Sequence, residues 1–83
     1  MMDATTLIKN MSSNNIRALQ AESEGNDRDE LRHLLFAAED ISKLLRMWRF
    51  AQQNESMAMT YSKSLHHTTA RIEELIDKGA IKR

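Results

Sequence analysis

Residues Gln52 to Ser56 read Gln-Gln-Asn-Glu-Ser, a wholly polar stretch between two periodic apolar segments. Whether the chain turns there or runs straight through decides the fold. Upstream, Leu31, Leu34, Ala38, Ile41, Leu45, Trp48 and Gln52 recur at steps of three and four, which lays them along one helical face. Downstream, Ala58, Tyr61, Leu65, Thr68, Ile72, Leu75 and Gly79 do the same. The two series are out of phase, because extending the first would put Glu55, Ser62, His66, Thr69 and Glu73 on the buried stripe. One straight helix cannot bury both. Asn or Ser in the polar stretch can cap a new helix, so the spacing predicts an antiparallel hairpin with arms at about 28–53 and 56–78. A long kinked helix is the alternative, since neither Gly nor Pro enforces the turn.

In the hairpin Trp48 faces Tyr61, Leu45 faces Leu65, and Leu34 faces Ile72 and Leu75. Asp27 is the expected cap of the first arm, with Glu30 reaching back to complete a capping box. Gly79 suits the left-handed position after the second arm, leaving Ala80 to Arg83 as a short tail. Before the hairpin, Asp3 can cap a helix holding Leu7, Ile8 and Met11. The run Ser12, Ser13, Asn14, Asn15 favours local side-chain bonds to the backbone, so a short, broken first helix ending at Gly25 is expected.

This reading agrees with the bulk properties. A chain of 83 residues without Pro or Cys and with only two Gly is one small all-α domain spanning 1–83. Disulfides and thiolate metal centres are excluded. No apolar run approaches the ~20 residues that span a bilayer, and the start does not resemble a secretion signal. A cytoplasmic location is expected. Lys plus Arg and Asp plus Glu each total 12, so any basic site is local.

Signals for catalysis are thin. His66 and His67 are adjacent and diverge by about 100° on a helix, and His33 near Asp29 and Glu30 reads as a surface ion pair. No metalloprotease, phosphate-loop, calcium-loop or serine-elbow pattern occurs. The expectation is no enzyme activity, no catalytic or metal site and no cofactor. Glu73, Glu74 and Asp77, among Arg71 and Lys78, read as a solvated face with weak pairs such as Glu74 to Lys78 and Glu39 to Lys43.

Two features point to partners. A two-helix hairpin recovers little beyond its ordering cost, and Phe36, Met47 and Phe50 lie off the main stripe, with Leu35 flanking it. Self-association through those residues, with a homodimer as first choice, would complete a helical bundle. A monomer closed by the first helix is the alternative. The stretch 41–72 also holds Lys43, Arg46, Arg49, Lys63 and Arg71 against Glu55 alone, charges expected to gather toward the turn. Lys43, Arg46, Met47, Arg49 and Phe50 combine cations with an aromatic and a thioether, a mixture enriched at interface centres.

Three functions fit. The favoured one is a non-enzymatic protein-binding module, an adaptor or inhibitor docking on an acidic, apolar patch of a larger protein. An oligomer whose basic tips hold nucleic acid or an anionic nucleotide is the second. A purely structural dimerisation module is the third. Membrane-surface or calmodulin-like binding by the basic helix is disfavoured by Glu39 and Asp40. The small size, helical content and lack of catalytic signatures resemble, in general style only, accessory proteins of phages, prophages and plasmids, many of which inhibit host machinery.

Overall fold

The computed structural model describes residues 3–79, which form three helices and no strand among them. Helix α1 runs Ala4–Ser23, α2 Asp27–Arg46 and α3 Glu55–Asp77; a π-helical turn, Met47–Ala51, continues α2. The hairpin expected from the phase break is present, and the tail Ala80 to Arg83 lies outside the described residues. None of these helices is long and apolar enough to cross a membrane.

The turn is made without glycine. In the π-helical segment Gln52 N–H donates to the Met47 carbonyl at 2.9 Å, and Asn54 N–H then reaches the Trp48 carbonyl at 2.8 Å. Gln53 takes a left-handed conformation, φ 51°, and reverses the chain. The Asn54 side chain accepts from Met57 N–H at 3.1 Å, opening α3 with the cap that the polar stretch supplies.

The first helix corrects the sequence reading. It is continuous for 20 residues rather than short and broken, because Leu7 before the polar run and Ala18 and Ala21 after it all bury against α2. Packing on both sides carries the helix through. Asn14 adds to this by donating to the Asn10 carbonyl at 3.1 Å while its Oδ1 meets His33 Nδ1 of α2 at 3.1 Å. Asp3 does cap α1, accepting from Thr6 N–H at 2.8 Å, and Gly25 ends it at φ 71°. The cap of α2 is shifted by one residue: Asn26, not Asp27, accepts from Asp29 N–H. Glu30 takes no part in a capping box, and His33 pairs with Asn14 rather than with Asp29 or Glu30.

Helix α2 is the spine. Both α1 and α3 pack along it, while their own Cα atoms stay more than 8 Å apart. Ala18, Leu31, Leu34, Ile72 and Leu75 form one core cluster. Leu7, Ile41, Leu44 and Tyr61 form another, against which Leu45, Trp48 and Leu65 rest. The facing pairs expected from the hairpin therefore share clusters.

Candidate functional site

The π-helical turn sets the geometry of the hairpin tip. Its wider turn displaces the residues after Met47 from the α2 register. Phe50 stands out at 73% exposure, the most exposed large apolar side chain among the described residues. Arg46 is exposed one turn earlier. Arg49 lies 3.8 Å from Glu55 across the turn, and Lys43 lies 3.8 Å from Glu39 on its own helix. Both are loose surface pairs of small energetic weight. Their charges stay available to an incoming surface.

Two residues of the expected set are placed differently from the rest. Met47 is half-buried and packs on the cluster of Leu7, Ile41, Leu44 and Tyr61, so it supports the tip from within. Trp48 is half-buried beside it, and its indole Nε1 is shut off from solvent with no hydrogen-bond partner. Leu35 and Phe36 stand about half exposed on α2, well before the tip. The two expected surfaces share Met47 and Phe50, and of these Phe50 alone is exposed.

Arg71 is the clear correction to the charge map. It does not join the tip; it sits opposite the start of α2, where Nε donates to Glu30 Oε2 at 2.7 Å and Nη2 to Glu30 Oε1 at 2.9 Å. Glu74 accepts from Nη1 at 2.8 Å, and Glu22 of α1 lies 3.1 Å from Nη2. The hydrogen bonds to Glu30 and then Glu74 raise the guanidinium pKa further, so the group is a permanent cation. Glu74 therefore serves Arg71 and not Lys78. The expected solvated face is in part a cross-link among all three helices.

This cross-link and a buried Asp40 were missed by the residue pattern, although a signal exists. Glu30, Leu34, Ala37, Ile41 and Leu44 are all buried, so Glu30 occupies a core position by spacing. An acid on an apolar stripe calls for a cation opposite. Asp40 is 9% exposed, and burial pushes its carboxyl pKa up, while Lys43 pulls it down and Glu39 pushes it up again.

Among the described residues no group of three or more His, Asp or Glu side chains is arranged to hold a metal ion. The tip displays a projecting phenyl ring, guanidinium groups and an apolar support. No protein-family model, curated protein or solved structure matches the chain.

Proposed function

We propose that this chain is a non-enzymatic protein-binding module, an adaptor or inhibitor, which docks on a larger protein through the tip of its α2–α3 hairpin. The observation that carries the reading is Phe50, 73% exposed on the π-helical turn, with Arg49 next to it in the chain and Arg46 and Lys43 one and two turns earlier. Burying such a ring is worth roughly 1.5–3 kcal/mol. Arginine and aromatic side chains together recur at the energetic centres of interfaces. Self-association is supported by the apolar side chains left exposed, Leu35, Phe36 and Phe50.

The test begins with affinity capture from the native host, using the chain and its Arg46→Glu/Phe50→Ser variant, followed by titration of the purified partner. A tenfold or greater loss of affinity in the variant, with helicity retained, is the expected result. Equal affinity of the two chains would remove the tip from the interface. Capture of nucleic acid or a nucleotide, with affinity falling steeply as salt rises, would move the assignment to an anion-binding oligomer.

A further inference from the structure

The tip is built to meet an acidic, apolar surface, and the chain carries one itself. Because α1 and α3 share only α2 as a neighbour, a groove of about 420 Å³ lies between them. Leu34 contributes to its apolar lining, with Ala18 and Leu19 from the α1 side and Ala70 from the α3 side. Leu19 is 65% exposed there, and Ile8, about three turns earlier on the same flank of α1, is also exposed. Apolar surface of this kind gains from being covered.

The charge in the groove has the opposite sign to the tip. Glu22, Glu30 and Glu74 surround the one guanidinium of Arg71, an excess of acid that the internal pairing does not cancel. Glu22 and Glu74 are the outer members, with side chains 50% and 64% exposed. At the tip, Lys43, Arg46, Arg49 and Lys63 outnumber Glu39, Asp40 and Glu55. Apolar and electrostatic complementarity therefore coincide on two distant parts of one chain, a combination that favours a specific encounter.

We propose that the groove between α1 and α3 receives the hairpin tip of a second copy, with Phe50 against Leu19 and Arg46 or Arg49 beside Glu22 and Glu74. The proposal rests on the reading of the tip as a docking surface and names one occupant for its complement. The two surfaces differ, so the contact is head-to-tail. Each added copy leaves a free tip at one end and a free groove at the other, and assembly is open-ended unless its rotation closes a ring. Self-association and binding to a larger protein then compete for the same tip.

Sedimentation and light scattering across concentration test this directly. The wild-type chain should show a mass that climbs past the dimer at low salt and returns to the monomer near 1 M salt, where screening acts over about 3 Å. A tip variant, Arg46→Glu/Phe50→Ser, and a groove variant, Leu19→Lys/Glu74→Gln, should each stay monomeric with helical circular dichroism intact. Mixed in equal amounts, they should form a dimer that grows no further, because each retains the surface that the other lacks. A wild-type monomer at every concentration overturns the proposal. So does a fixed dimer that either variant still forms, since that contact would be symmetric and lie elsewhere. A tip variant that self-associates normally but loses the external partner overturns the groove contact and leaves the protein-binding reading standing. One that becomes monomeric yet keeps the external partner would do the reverse.

Discussion

Arg71 of α3 grips Glu30 of α2 through two parallel hydrogen bonds, Nε to Oε2 at 2.7 Å and Nη2 to Oε1 at 2.9 Å. Glu30 is 2% exposed, so this acid is held in the core by one cation. The same guanidinium reaches Glu22 of α1, which makes Arg71 a polar link between two helices whose Cα atoms stay more than 8 Å apart. Three helices are tied at one end by a single side chain.

Removing that side chain should be costly. Arg71→Ala leaves Glu30 buried without its partner, and the expected loss is about 3 kcal/mol in urea unfolding. Replacing both members, as in Glu30→Leu/Arg71→Met, removes the uncompensated charge and should recover most of that loss. A double variant as unstable as Arg71→Ala would show that the pair contributes more than mutual neutralisation.

Asp40 gives a pH signature. Its folded pKa is raised by burial, so over the range above the ordinary value of 3.8 the folded state holds more proton than the unfolded one. Its contribution to stability therefore falls as pH rises from that range toward neutrality. Asp40→Asn should stabilise the protein at neutral pH and lose this advantage below the ordinary carboxylate pKa. The check is a comparison of denaturation midpoints for the two chains across pH; a constant difference would contradict it.

Trp48 is the only tryptophan, and its indole N–H is buried without an acceptor. Leaving a donor unsatisfied costs ~1–3 kcal/mol, so Trp48→Phe should be neutral or mildly stabilising despite the smaller ring. Trp48→Ala opens space among Met47, Leu45 and Tyr61 and should cost roughly 3–5 kcal/mol. Thermal melts followed by circular dichroism separate the two cases.

The turn offers a fourth stability test. Gln53 sits at φ 51°, where an L side chain crowds the backbone and glycine does not. Gln53→Gly should raise stability by about 0.5–1 kcal/mol, partly offset by the added freedom of the unfolded chain. Asn54→Ala, which removes the cap on Met57 N–H, should lower it by about 1 kcal/mol. Opposite signs at neighbouring positions would confirm that reversal and capping are separate jobs in this turn.

The hairpin was legible because it rests on periodicity. The out-of-phase apolar series either side of Gln52 to Ser56 leave a reversal as the way to bury both faces, and the Asn54 cap follows from local chemistry. Phe50 and Phe36 read as outward-facing for the same reason. The continuity of α1 was not legible. Ser12 to Asn15 have weak helical preference of their own, and only the burial of Leu7, Ala18 and Ala21 on α2 outweighs it.

By itself the sequence determined the all-α class, the place of the turn and the exposed aromatic at the tip, since each depends on neighbours within a few residues, and the core pairs followed from the register that the turn imposes on the two apolar series. Tertiary structure alone decided the partner of Arg71, the burial of Asp40 and the groove between α1 and α3. Those depend on which helices become neighbours in space, and a side chain's charge pattern along its own helix does not contain that information.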